Sequence, residues 1–539
     1  MNAIRMIDVV VIGGGVAGLV AARECAHIGL TVTIIEATDA VGGAVASHEV
    51  AGLTLDSGAE SFAVRRGSVA DFVAGLGLTE QIVAPNSAGA WLCLPADRRT
   101  KKSAARSGQA DGHASATAPA GSGVLCVPLP KTGVLGIPAS PLADDVRRVI
   151  GWGGAWRAYL DRVMPVLKIG REESLGDLVE KRMGRRVLER LVEPVASGVY
   201  SAAAADLEVD VVAPGLNAAL TTTGSLSGAV LALRSAAPAG SAVGGLRGGM
   251  SSLVTALVAD LQHFGAEIVT NQTVTQLARA GTDEKPSWTV TTGASAPPEK
   301  AHSDEAPVPG AVPGTGADAV ADAATAPTTA TTLYSRFVIV ATPGASALEL
   351  LAPLGEDFAA LTELDWPHPA AVELATLVID APALDAQPRG TGVLVAAGTP
   401  GVSAKALTHV SAKWDWVAEA AGPGRHVVRL SYGRFNEANP ADALSDAEFQ
   451  ALAVRDASII LGVDLDPAAV RGFARTPWRN ALSPATLGAR DRNRQVREVV
   501  EAVPGLEVTG AWLAGTGLAS VIPDALTAAA RTRHAALGL

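Results

Sequence analysis

Gly13, Gly15 and Gly18 stand at the spacing G-x-G-x-x-G, and an acid, Glu36, follows roughly 20 residues later. The chemistry open to such a set is recognition of a nucleotide. Gly13 permits a tight turn, Gly15 lets the backbone approach a pyrophosphate, and Gly18 lets a helix pack closely on a strand. Gly14, Val16 and Ala17 complete the cradle, in which phosphates would meet the free N–H groups and positive dipole end of a helix. Glu36 can accept hydrogen bonds from an adenosine ribose. It would repel a phosphorylated ribose, so NADP suits this site least. A glycine-rich turn that binds nothing would share the spacing, and the flanking elements decide between the two.

Those elements are a strand, a helix and a second strand. Val9 to Ile12 is a continuous β-branched run of the kind a parallel strand needs when both its faces are buried. An Ala-rich helical stretch follows the glycines, and Val32 to Ile35 then forms a strand that delivers Glu36 at its end. With both strands and the acid in place, the turn reads as a dinucleotide site.

Composition narrows what surrounds it. At 539 residues the chain calls for two or three domains. Hydrophobic content of 48% with mean hydropathy +0.27 is inflated by Ala and Gly, and no apolar run of about 18 residues escapes Gly, Pro or charge. No transmembrane helix is therefore expected, and a cytoplasmic location is. Arg5 and the apolar residues after it mimic a signal peptide, but Asp8 and the glycine turn belong to the strand and helix just described. Cys25, Cys93 and Cys126 form no CxxC pair and suit reduced, unpaired thiols. With nine histidines, no HExxH and no Cys/His cluster, no metal site is expected. The net charge of −11 disfavours nucleic acid, so an anionic substrate would need a local cluster of arginines.

Two stretches read as disordered insertions: Arg98 to Gly123, rich in Ala, Ser and Gly, and Thr282 to Thr332, rich in Ala, Thr, Pro and Gly. Helical periodicity with basic faces over Leu142 to Tyr200 predicts a helical subdomain, with Arg147, Arg148, Arg182, Arg185 and Arg186 coating exposed helices. Ser251 to Phe264 predicts a helix, and Glu267 to Leu277 and Phe337 to Ala341 predict strands. Alternating segments such as Val372 to Ile379 and His426 to Tyr432 predict a mostly antiparallel sheet. Near the C-terminus, Leu506 to Gly515 reads as a strand running into glycines, where it meets the last helix opened by Ser520 to Asp524.

In order and over nearly the whole chain, these pieces resemble the flavoprotein family of protoporphyrinogen and coproporphyrinogen oxidases, which is related to the amine oxidases. Within that family they are most similar to the coproporphyrinogen branch of Gram-positive bacteria. Glu36 to Gly43 resembles the second flavin motif, and Asp56 to Arg65 the substrate-side loop. Val134 to Pro138 and Val192 to Tyr200 distinguish this family from other amine-oxidase relatives, and Leu246 to Leu253 and Gly515 to Asp524 complete the set.

The resemblance implies an α/β fold: a Rossmann-like FAD-binding domain, a mixed-sheet substrate domain and a helical subdomain. The expected division is 1–85, 211–365 and 481–539 for the FAD-binding domain, 86–210 for the helical and substrate cap, and 366–480 for the substrate domain. Non-covalent FAD is implied, held at Gly13, Gly14, Gly15, Val16, Ala17, Gly18, Glu36, Gly42, Gly43, Ala44, Val274, Trp478, Val521, Ile522, Pro523 and Asp524. Covalent attachment through a C-terminal cysteine is excluded because none follows Cys126.

The implied reaction is the six-electron oxidation of coproporphyrinogen III to coproporphyrin III in haem biosynthesis, with molecular oxygen as acceptor and hydrogen peroxide formed. Because the cofactor carries the chemistry, no catalytic side chain is expected. Arg65, and less strongly Arg66, are the candidates for a propionate contact, since guanidinium forks bind carboxylates bidentately. Peripheral membrane contact and a transient contact with the next haem-pathway enzyme stay open. So do protoporphyrinogen IX as substrate, an amine oxidase on the same scaffold, and a flavin-binding protein without turnover. A polyene desaturase is disfavoured by Val192 to Tyr200. The chain departs from the family pattern at Ala44, at Ser201 to Ala203, at Ser483 to Thr486 and at Ala489, which puts local loop shape and rate in question.

Overall fold

The computed structural model describes residues 6–64, 68–96, 123–131, 133–165, 173–235, 243–295, 331–368, 370–482 and 485–538. Its first strand, β1 (Met6–Ile12), shows why a run of valines was needed. Val9 and Val11 enter one apolar core while Val10 and Ile12 enter another, so neither face meets water. β1 lies parallel to β2 (Val32–Ile35) on one side and to Thr331–Val340 on the other. Glu267–Val269 and Leu506–Val508 extend the parallel sheet at its two edges. α1 (Val16–His27) covers one face together with Ser251–His263 and Leu518–Leu537. Helices Gly344–Leu351, Glu356–Thr362 and Ala489–Glu501 pack on the other.

Two expectations are corrected here. Glu267 to Leu277 is two strands, because Asn271, at φ +57°, turns the chain out of the parallel sheet into an antiparallel ribbon of Gln272–Arg279 with Trp288–Ala294. Asn tolerates that left-handed conformation, and β-forming residues on both sides hide the turn. Thr282 to Thr332 is not a disordered insertion throughout. Trp288–Ala294 is a strand whose Trp288 and Val290 are buried, and Thr331 and Thr332 begin the strand that pairs with β1. The averaged Ala/Thr/Pro/Gly composition concealed a short apolar segment. The remainder of that stretch, 296–330, and residues 97–122 of the other proposed insertion lie outside the described residues.

The second lobe is a seven-stranded sheet in the order Val470–Leu482, Ala370–Asp380, Arg425–Tyr432, Ala406–His409, Gly392–Val395, Ala90–Pro95, Val124–Pro128. All neighbours are antiparallel except Gly392–Val395 with Ala90–Pro95. Helix Asp446–Leu461 buries one face of it and starts with a capping box, Ser445 and Glu448. The expectation of three unpaired cysteines fails at this sheet. Cys93 and Cys126 face each other across the last strand pair and form a disulfide, with Cα atoms 4.3 Å apart. Strand register brings them together over a separation of 33 residues, which no local spacing rule detects. Cys25 is free and buried in α1, and burial pushes its thiol up to about 12.

Helices Asp144–Tyr159, Leu175–Met183, Glu193–Tyr200, Leu216–Thr223 and Leu226–Ser235 share a further core, which runs from Leu92 to Ala485. Arg182 is not on an exposed face. It is 5% exposed and donates from Nε to Asp161 Oδ1 at 2.7 Å, while Asp161 accepts from the backbone N–H groups of Leu226 and Ser227. The buried acid needs a cation, and helical periodicity alone does not reveal that need. Among the described residues no single helix is long and apolar enough to cross a membrane; one pair, 216–223 with 226–235, meets the criterion jointly but bends by 115° between its halves.

Candidate nucleotide and active site

β1 ends at the glycine turn and α1 begins on its far side with Gly15 as N-cap. The three glycines serve two different ends. A Cβ on Gly18 would come within 2.0 Å of Gly13 O, so strand and helix could not approach as they do. A Cβ on Gly15 would meet nothing within 4 Å, so its open side faces space that a ligand can fill. No side chain caps α1. Val16 and Ala17 turn their side chains into the core, and with Gly18 they present backbone N–H groups in the first turn, as an anion requires. The cradle therefore fits a nucleotide pyrophosphate.

Glu36 closes the turn from the side. Its Oε2 accepts from Gly14 N–H at 2.6 Å, and its Oε1 from the N–H and hydroxyl of Thr38 at 2.9 and 2.8 Å. A carboxylate has about four acceptor positions, so one remains for a ribose hydroxyl. The second motif backs onto the first: Gly42 N–H donates to Gly14 O at 2.8 Å, and Gly43 lies against Gly15. Ala44 is exposed and accepts from Ala59 N–H at 2.9 Å. Val274 is partly buried at an irregularity of the ribbon, two residues beyond Gln272, whose N–H donates to Glu36 O. These positions form one neighbourhood.

The last helix opens earlier than the Ser520 expected of it. The helix starts at Leu518, so Val521, Ile522, Pro523 and Asp524 are already helical. Val521 and Ile522 are core residues, and Val521 N–H is taken by Gly517 O at 3.1 Å. Asp524 accepts from Thr509 Oγ1 at 2.6 Å and pairs with Arg497, which ties the helix to the end of Leu506–Val508. The free N–H groups of this helix belong to its first residues, Leu518 and Ala519, which sequence reasoning missed.

Trp478 lies on Val470–Leu482, donates from Nε1 to Ser57 O at 2.8 Å and packs on Gly58. Two further side chains, Arg429 and Lys413, meet the same loop, and neither was singled out from sequence. Arg429 Nη1 donates to the carbonyls of Asp56 and Gly58 at 3.0 and 2.9 Å. Arg429 Nη2 and Lys413 Nζ lie 2.8 and 2.6 Å from the two oxygens of Glu60. Burial works to raise the Glu60 carboxyl, but Arg429 and Lys413 hold it down at about 2. Asp56, half-buried beside them, is pushed up to about 6 by desolvation, against the pull of Arg429 and of Met250 N–H. The one signal available was Arg429 set between the apolar Val427, Val428 and Leu430 of one strand. Arg65 and Arg66, at the end of this loop, lie outside the described residues.

A parallel sheet built from separated segments with a glycine cradle at its first βα turn, a second, mixed-sheet lobe and a helical cap define a two-lobed α/β protein of the flavoprotein type. The chain matches the flavin containing amine oxidoreductase family over residues 16–304 and belongs to it; it is a flavin-dependent oxidoreductase. It is 28% identical to the coproporphyrinogen III oxidase of Mycobacterium tuberculosis (strain ATCC 25618 / H37Rv) over 521 residues, 95% of this chain and 94% of that one. It is 24% identical to the coproporphyrinogen III oxidase of Bacillus subtilis (strain 168), with 96% and 95% covered. The fold superposes on the crystal structure of an Exiguobacterium sp. 255-15 protein carrying a protoporphyrinogen oxidase assignment, with a TM-score of 0.72, 22% identity and full coverage of both chains.

Proposed function

We propose that the chain oxidises coproporphyrinogen III to coproporphyrin III in haem biosynthesis, with FAD as its flavin and molecular oxygen as electron acceptor. The observation that carries this reading is similarity to coproporphyrinogen III oxidases that extends over nearly the full chain, cap and second lobe included. When bound, FAD would supply the acceptor for six electrons in three two-electron oxidations, with hydrogen peroxide formed from oxygen.

The chain's own residues bind and orient. Backbone N–H groups from Gly15 to Gly18 hold the pyrophosphate, with Gly13, Gly14, Gly42, Gly43 and Ala44 shaping the cradle. Glu36 takes the ribose and the Val274 backbone the adenine. Trp478 and the start of the last helix, where Leu518 and Ala519 with free N–H groups precede Val521 to Asp524, would border the flavin, and Arg65, with Arg66 beside it, would anchor substrate propionates. The two porphyrinogen substrates differ by two propionates against two vinyls, so a cationic wall selects between them.

Fluorescence decides the matter. Flavin-loaded protein is mixed in air with coproporphyrinogen III or protoporphyrinogen IX, and spontaneous oxidation is subtracted. Preferential appearance of coproporphyrin is expected. Preferential protoporphyrin would move the substrate assignment, and no gain with either, despite bound flavin, would overturn the reading.

A further inference from the structure

We propose that Arg429, Lys413 and Glu60 form, with one buried water molecule, a latch between the lobes that sets the position of the loop from Asp56 to Glu60. This rests on the function proposed above, because that loop leads into Arg65.

Arg429 occupies the strand Arg425–Tyr432, where Val427, Val428, Leu430 and Tyr432 are all fully buried. A guanidinium in that position needs partners, and it finds them across the lobe boundary in the carbonyls of Asp56 and Gly58 and in the Glu60 carboxylate. Trp478, from Val470–Leu482, takes the intervening carbonyl of Ser57. Three successive carbonyls of one loop are thus bonded to side chains of the other lobe, and the acid that follows is closed by two cations. A planar fork with several donors can serve carbonyls and a carboxylate together, which a lysine cannot.

Beside the triad lies a cavity of about 10 Å³, lined in part by Glu60, Thr376, Trp416 and Arg429. That is room for one water molecule. Thr376 Oγ1 and Trp416 Nε1 are buried without a hydrogen-bond partner, and Glu60 Oε2, in ion contact with Arg429 Nη2 at 2.8 Å, is buried without a hydrogen bond. Their chemistry balances around one water. Trp416 N–H donates to its oxygen, and its two protons go to Glu60 and Thr376, which gives the usual three bonds of a buried water. The arrangement makes Arg429 a positioning residue: it touches the loop and fixes the loop's place.

The test uses the full-length, flavin-loaded protein with Arg429→Met, Arg429→Lys and Lys413→Met. Arg429→Met should accelerate hydrogen exchange over 56–64 and raise KM for coproporphyrinogen III, each by roughly tenfold or more, the scale of a lost charge-assisted hydrogen bond, with kcat nearly kept. Arg429→Lys should recover part of the KM. Lys413→Met, at the rim of the triad, should move the same two quantities less, and it supplies the measurement if Arg429→Met does not accumulate. A crystal structure should show one water within reach of Thr376, Trp416 and Glu60. Unchanged exchange and KM, an equal loss of kcat in both Arg429 variants, or an empty cavity would overturn the proposal. A wild-type protein that does not turn over porphyrinogen would sink the substrate reading, while the exchange rates and the water would still judge the latch.

Discussion

At the residue scale, what a side chain would touch separates positions that look alike in sequence. Gly15 has extended backbone at φ −67°, ψ 173°, where valine is allowed, and open space beyond its Cα. Gly15→Val should therefore fold with a stability within about 0.5 kcal/mol of the parent when both lack flavin, yet retain no flavin on purification; normal flavin absorbance would refute the cradle. Gly18→Val, forced against Gly13 O, should cost about 3 kcal/mol or more. Lys405 makes the opposite kind of prediction. It is 2% exposed and donates to the Ser201 hydroxyl, and burial, with Arg434 nearby, pulls its ammonium down to about 7. The unfolded chain binds that proton up to 10.5, so stability should rise with pH between about 7 and 10.5 as the burial penalty disappears. Lys405→Met should then be more stable than the parent at pH 6 by about 1–4 kcal/mol, with the gap closing toward pH 10 in urea titrations. The glycine positions were legible because they concern backbone, which local spacing controls. Arg429 and Lys405 were not, because a buried charge declares itself only through its partner, and the carbonyl that Arg429 serves lies 373 residues away.

At the element scale, periodicity revealed the strands and helices that bury a regular apolar face: β1, β2, α1, Ser251–His263 and the strands around Val372 and His426. It failed where a turn sat inside a β-rich run, at Asn271, and where a short strand lay in a compositionally plain stretch, at Trp288–Ala294. Cross-strand pairing was out of reach for the same reason: register is a property of two elements together. The disulfide of Cys93 with Cys126 closes a loop of 33 residues on the edge of the second lobe. Replacing both with serine should lower stability by about 3–4 kcal/mol without reductant. The difference from the parent should vanish when both are unfolded in excess dithiothreitol. Alkylation of both thiols in the native, unreduced parent would show that the pair does not form.

At the scale of the whole molecule, the nucleotide-binding sheet collects β1, β2, Glu267–Val269, Thr331–Val340 and Leu506–Val508 from widely separated parts of the chain, so the lobe cannot be excised as one block. Its tolerance of deletion is set by that topology. Thr292 and Thr331 are partners in an antiparallel pair, so the chain leaves the sheet and returns to it at one place. Replacing 296–330 with an Asn-Gly turn asks only for a hairpin closure that such residues favour. The shortened protein should keep its flavin and its urea midpoint, with stability changed by about 1 kcal/mol or less. Cutting 282–332 instead removes the strand that buries Trp288 and Val290 under the parallel sheet. At about 1.5–3 kcal/mol for each large apolar side chain exposed, the second deletion should lose most of the stability of the lobe and, with it, the flavin. Flavin absorbance per mole of protein, read beside the unfolding midpoint, separates the two. Equal flavin content in both deletions would mean that the ribbon carries none of the sheet's stability.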